Sequence, residues 1–152
     1  MTNIAHENIV KSVLSFVVKQ EFGKHLTVLE LGKKVVEEYG ADKLVNGGIW
    51  ILDCNKPIEF YSPLFRKNLG YTGEKDFPSV PESWQKAIKP KYINSALPDY
   101  HKHIETKGKH PYYLDLVYNT KQGGKIALIC SGTALFENNK PTIMIGTHTI
   151  KI

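Results

Sequence analysis

The chain has 152 residues, a 41% apolar fraction and a net charge of +5, which suits one domain with a substantial core and excludes a disordered chain. It has no run of about eighteen apolar residues, so no membrane-spanning helix is predicted; "IVKSVLSFVV" contains Lys11 and precedes no small-residue cleavage site, so no secretory leader is read and a cytoplasmic location is expected. The basic residues are lysines, scattered along the chain, with Arg66 the single arginine, so the charge reads as solubility and not as a nucleic-acid surface.

The chain opens with helical periodicity. Ile9, Val10, Val13, Leu14, Phe16 and Val17 recur at three- and four-residue spacing, which makes one apolar face, and Gly23 offers a stop. Thr27 and Glu30 then fit a capping box, with Leu26 and Leu31 as its hydrophobic staple. Val28, Leu31, Val35, Val36 and Tyr39 extend a second apolar face to Gly40. The pattern changes at Gly47-Gly48. "GIWILD" and "IEFYS" are short and β-branched, and "NKP" between them is turn chemistry, so 48–61 is predicted to be a hairpin. Ser62 suits an N-cap, Pro63 the first helical position and Gly70 the stop of a short helix.

From Thr72 to Pro90 only a short helix around Glu82 to Ile88 is expected. A longer helix is read over 91–107, with Tyr92, Ile93, Ala96, Tyr100 and Ile104 apolar and Pro98 forcing a kink or a late start. Three strands follow: "YYLDLVYN", "KIALICSGTALF" and "TIMIGTHTIKI", separated by turns at Gln122-Gly123-Gly124 and "ENNKP". This order describes an α+β domain: a five-stranded antiparallel sheet with a helical segment across one face. "GIWIL", "IALIC" and "TIMI" are apolar at consecutive positions, whereas a strand with one wet face alternates. Both faces are therefore expected to be covered, one of them by the N-terminal helices or a partner chain. The organisation read is a helical extension over 1–46, for packing or dimerisation, and a sheet domain over 47–152. Ile9, Val10, Val13, Val17, Val35 and Val36 are the candidate interface of a homodimer, because one small sheet face does not obviously bury both stripes.

From Gly48 onward the chain resembles a PAS sensor domain. The pieces that carry the likeness come in order: "GIWILD", "EFYSPLFRKNLGY", "FPSVPESWQKAIKP", "KGKHPYYLDLVY", "KQGGKIALICSG" and "IMIGTHT". They cover about two thirds of the chain; each is weak alone and together they are specific. The resemblance implies a PAS fold, a five-stranded sheet and short helices around a small cavity. It also implies sensing of ligands, redox state, oxygen or light, with output through terminal helices, commonly in dimers, in two-component or cyclic-nucleotide signalling. Relatives commonly follow "GTHT" with an aspartate that joins the last strand to an output helix. Ile150 stands there instead, which favours a stand-alone sensor that signals through its N-terminal helices or a separate partner, the alternative being a sensor domain cut at its boundary from a longer chain.

The sequence then limits the chemistry. No cysteine lies between Tyr61 and Lys125, where light-sensing relatives carry the reactive one, so a cysteinyl–flavin adduct is not expected. Cys54 and Cys130 match no zinc spacing, and Cys130 reads as a small buried hydrophobe. Haem needs an axial ligand, and His101 and His103 are the candidates on the long helix, although His103 also matches a common histidine of non-haem relatives. A metal held by His101, His103 and His110 has loose spacing. No nucleophile triad, phosphate loop or paired acids stand out, so no enzyme is read, and Asp53 reads as a turn-maker. An enzyme would need an inward-facing acid or base, and none is identified.

The positive expectation is a small organic ligand. Trp50, Phe60, Leu64, Phe65, Leu69, Trp84, Ile88, Tyr100, Ile104, Leu114, Leu116, Tyr118, Leu128 and Met144 are the candidate pocket residues, since apolar walls with a few polar groups suit such sites. The same residues would also fill a solid core. The cofactor is thus left open between none and a small organic molecule, and the alternative function is a ligand-free interaction module or a haem sensor.

Overall fold

The computed structural model describes residues 3–20 and 26–151, with the side chains of 3–7 left aside. The expected stop at Gly23 lies outside the described residues. Helix α1 spans Asn3–Lys19 and α2 spans Val28–Glu37. Thr27 caps α2 as its sequence demands: its hydroxyl accepts from the Glu30 N–H at 3.2 Å, and the Glu30 carboxylate accepts from the Thr27 N–H at 3.1 Å. The hairpin strands are β1 (Ile49–Asp53) and β2 (Glu59–Tyr61). Asp53 Oδ1 accepts from the N–H groups of Asn55 and Lys56 and so builds the turn between them.

Helix α3 (Pro63–Leu69) begins at Ser62 and ends at Gly70, whose φ of 86° favours glycine. The next stretch departs from expectation by adding a one-turn helix, α4 (Gly73–Asp76), before α5 (Pro81–Ala87). Asp76 holds it, accepting from the Thr72 N–H at 2.9 Å and from the Lys121 ammonium at 2.7 Å. Helix α6 runs unbroken over Pro90–Glu105, so it does not begin at Pro98. Pro98 is exposed; it lies where water can serve the carbonyl that loses its partner.

Strands β3 (Tyr112–Asn119), β4 (Lys125–Glu137) and β5 (Lys140–Ile150) complete one antiparallel five-stranded sheet in the order β2-β1-β5-β4-β3. The closing turn puts Asn138 and Asn139 at φ 51° and 64°, the left-handed pair a tight hairpin needs. Both sheet faces are covered. Helices α3 to α6 lie over one, around Trp50, Phe65, Leu116, Tyr118 and Met144. Helices α1 and α2 lie over the other, around Ile49, Ile51, Ile143 and Ile145.

This second packing corrects the reading of the N-terminal stripes. Val10, Val13, Val17 and Val35 are buried within the chain itself, and Ile9 and Val36 pack half-buried against the same layer. The sheet face is large enough because α1 crosses β4 and β5 while α2 crosses β1 and β2. These residues are therefore not an open surface for a second copy. Among the described residues, no helix is long and apolar enough to cross a membrane.

Candidate functional site

Strand alternation decides what points at the middle helices. On β1, Trp50 and Leu52 join that side while Ile49 and Ile51 join the other. Glu59 and Tyr61 of β2 do the same, with Phe60 between them facing away. Strand β5 contributes Met144 and His148, and between these lies Gly146. A Cβ on Gly146 would sit 2.0 Å from the Trp50 ring, and one on Gly132 would sit 2.7 Å from it. The two glycines, paired across β4 and β5, form a furrow in which the indole lies.

Above this floor is a cavity of about 270 Å³. Trp50, Tyr61, Tyr112 and Tyr118 of the sheet face Trp84 of α5 and Tyr100 of α6 across it. Asp53 and Lys56 belong to its wall near the β1–β2 turn, and Lys56 is exposed. The volume lies just below the roughly 300–1,000 Å³ of sites for drug-sized molecules.

Several polar groups are sealed into this apolar space. Glu59 is 5% exposed, and burial pushes its carboxyl up to about 8 despite a hydrogen bond from the Trp84 side chain. Burial also pushes His148 down to about 3, so its imidazole is neutral. Its ring stacks on Phe65 at 4.5 Å and its Nε2 lies 3.4 Å from the Tyr118 hydroxyl, leaving Nδ1 without a partner. The Trp50 indole N–H has no partner of hydrogen-bonding geometry and leans towards the Cys130 thiol. The Tyr61 hydroxyl donates to the Val80 carbonyl at 2.7 Å. Cys54 sits against Tyr100, and burial pushes its thiol up to about 11, away from the reactive thiolate.

The family model described as PAS fold matches residues 58–148, more than half of the chain. The chain belongs to the PAS family. Its fold is similar to that of a sensory box histidine kinase/response regulator from Burkholderia thailandensis, at 21% identity and a TM-score of 0.60, over 74% of this chain and 82% of that one. A PAS domain from Colwellia psychrerythraea gives 12% identity and a TM-score of 0.58, over 77% and 96%. The N-terminal domain of a diguanylate cyclase from Marinobacter aquaeolei gives 12% and 0.58, over 67% and 92%. A comparison with curated proteins finds no match.

Within this PAS fold, Trp50, Trp84, Tyr100, Leu116, Tyr118 and Met144 of the candidate pocket residues line the cavity. Phe65, Leu69, Ile88, Leu114 and Leu128 are buried in the same layer without lining it, and Ile104 packs half-buried at its margin. Leu64 is half-buried in α3, where its N–H donates to Asp42. Phe60 is corrected: it lies on the opposite face under α2, where a Cβ on Gly32 would fall 2.3 Å from its ring. Its neighbour in sequence, Glu59, is the residue that sequence reasoning missed. The available signal was the period of two, which puts an acid on the same face as Tyr61.

The histidines of α6 do not converge on the cavity. His103 is buried, its Nδ1–H donates to the His110 carbonyl at 2.7 Å, and its Nε2 accepts from the Ala134 N–H at 3.1 Å. With both nitrogens engaged it ties α6 to β4 and has no lone pair free for iron or zinc. His101 is exposed, and His110 faces Asp99 at 3.2 Å. The single arginine is also structural. Arg66 donates to the carbonyls of Tyr61 and Phe77 and to the Ser79 hydroxyl, pinning β2 to the segment before α5.

Proposed function

We propose that this chain is a signal-sensing PAS domain that takes a small organic molecule into the cavity between its sheet and α5–α6, and answers through α1 and α2. The observation that carries this reading is the pairing of Glu59 with Phe60. Glu59 is in the cavity wall, and the next residue packs its ring against Gly32 of α2. A shift of β2 on ligand entry is felt directly by α2, because an interdigitated ring and glycine do not slide freely. The response is then a population shift between two packings of the helices on the sheet. An open volume lined with sealed polar groups favours this over a domain whose interior is filled by side chains. The likeness to PAS domains of a sensory kinase and of a diguanylate cyclase fits an output into two-component or cyclic-nucleotide signalling, delivered to a partner by the helices.

Native mass spectrometry with an absorption spectrum on the freshly purified chain tests this. The expected result is an added mass of a small organic molecule, lost on denaturation, with no haem band. Adding the recovered molecule back should change amide hydrogen exchange in α2. Occupied and empty protein with identical exchange in α1 and α2 would defeat the proposed output.

A further inference from the structure

The buried acid defines a ligand class, and this inference rests on the sensor reading above. Removing a carboxyl from water is costly unless a cation or several donors meet it. Glu59 has the Trp84 side chain as its donor, and among the described residues no cationic side chain offsets its burial. Arg66, the nearest buried cation along β2–α3, has its guanidinium engaged by the Tyr61 and Phe77 carbonyls and by Ser79. Lys56 stands exposed at the turn, beside Asp53. The space beside the carboxyl is instead walled by aromatic rings, which attract positive charge through their quadrupoles. An anion entering this cavity would meet an acid and no buried cation. A protonated amine would meet a carboxylate and ring walls.

We propose that the cavity binds a small organic monocation, a protonated amine on an aromatic or aliphatic body, with its ammonium on the Glu59 carboxylate and its body among Trp50, Trp84, Tyr100 and Tyr112. The volume of about 270 Å³ restricts the body to a single ring or a short chain.

Binding is coupled to a proton. In the empty cavity near neutral pH the Glu59 carboxyl holds its proton, since burial pushes it up to about 8. The incoming ammonium stabilises the carboxylate, so one proton leaves Glu59 for solvent while the ammonium keeps its own. The other groups facing Glu59 do not mimic this. Tyr61, Tyr112, Tyr118 and Cys130 are pushed up by burial, Tyr100 is raised to about 12, and His148 is held neutral down to about 3. Lys56 and Asp53 of the turn belong to the same cavity wall, and Glu82 of α5 acts on Tyr61.

The test uses the full chain and three probes of one shape: 2-phenylethylamine as the cation, 2-phenylethanol as the neutral isostere and phenylacetate as the anion. Trp50 and Trp84 are the only tryptophans and both line the cavity, so intrinsic fluorescence reads its occupancy. The cation is expected to bind best, with affinity rising about tenfold per pH unit towards pH 8 and levelling above it. Calorimetry in buffers of different ionisation enthalpy should show close to one proton released at neutral pH. Glu59→Gln should weaken the amine at least about tenfold and abolish the proton release. The alcohol should still enter that variant, which certifies its fold, while the preference for amine over alcohol is lost. Equal binding of amine and alcohol, or full amine binding by Glu59→Gln, overturns the cation inference and leaves the sensor reading standing. Failure of all three probes to enter, together with no occupant in native mass spectrometry, overturns both.

Discussion

The two faces of the sheet are built from opposite materials. Under α1 and α2 the layer is aliphatic, with Ile49, Ile51, Ile143 and Ile145 fully buried against Val13, Val17, Leu31 and Val35. Under α5 and α6 it is aromatic and polar, with Trp50, Tyr112, Tyr118, His148 and Glu59 enclosing open space. Branched aliphatic chains interdigitate to crystal density, whereas large rigid rings with polar tips leave gaps and need partners. One face therefore supplies stability, and the other leaves an open volume at some cost to stability.

The sharpest way to break this comparison is to truncate neighbours that face opposite ways. Ile145→Ala, on the packed face, is expected to cost about 3–4 kcal/mol, as a fully buried branched chain does. Met144→Ala, one residue earlier and on the cavity wall, should cost only about 2 kcal/mol, because the space it leaves merges with a cavity already open. Urea denaturation of the two variants reads the difference, and equal losses would remove the contrast between the faces.

The next effect is electrostatic and belongs to the cavity face alone. The Glu59 carboxyl titrates near 8 in the fold against an ordinary 4.5. The folded chain therefore binds its proton more tightly, and stability falls as pH rises from about 5 to 8, by up to about 1.4 kcal/mol per pH unit. Glu59→Gln should remove that slope and unfold at higher denaturant than the parent at alkaline pH. Buried His148 acts with the opposite sign: its contribution is present above an ordinary 6.5 and lost as pH falls towards 3. Denaturation midpoints of parent and variant across pH check both, and parallel curves would show that Glu59 is not a sealed acid.

The smallest effect lies at the joint between the faces. Ser62 Oγ accepts from the Ile49 N–H at 2.9 Å and from the Phe65 N–H at 3.4 Å, so it ties the start of β1 to the first turn of α3. Ser62→Ala should cost about 1–2 kcal/mol, with ligand affinity unaltered. A large loss of affinity in that variant would mean that the joint shapes the cavity.

Much of the architecture was legible because local signals agree with each other. Thr27 and Glu30, Ser62 and Pro63, and the apolar strand runs each name their element from a few residues, and the capping and hairpin geometry follow. Two covered faces could be read from consecutive apolar residues in β1, β4 and β5. The cavity was half legible. Trp50, Trp84 and Tyr100 were found by size and apolarity, but that criterion is blind to direction, so Phe60 was misplaced and Glu59 overlooked. The stripes of α1 and α2 are legible as apolar, while the surface they bury stays open in the sequence between the chain's own sheet and a partner. A stripe does not say whether its cover is the same chain or another.

The sequence by itself determined the elements, their order and the likeness to PAS domains, because caps, turns and periodicity act within a few residues. It also set the alternation that puts Glu59 and Phe60 on opposite faces. Only the tertiary structure decided that α1 and α2 close over the chain's own sheet, that His103 is a tie and not a ligand, and that an acid is sealed among aromatic rings. Those outcomes depend on which surfaces meet across dozens of residues, and burial, which raises the Glu59 carboxyl and silences His148, exists only once they have met.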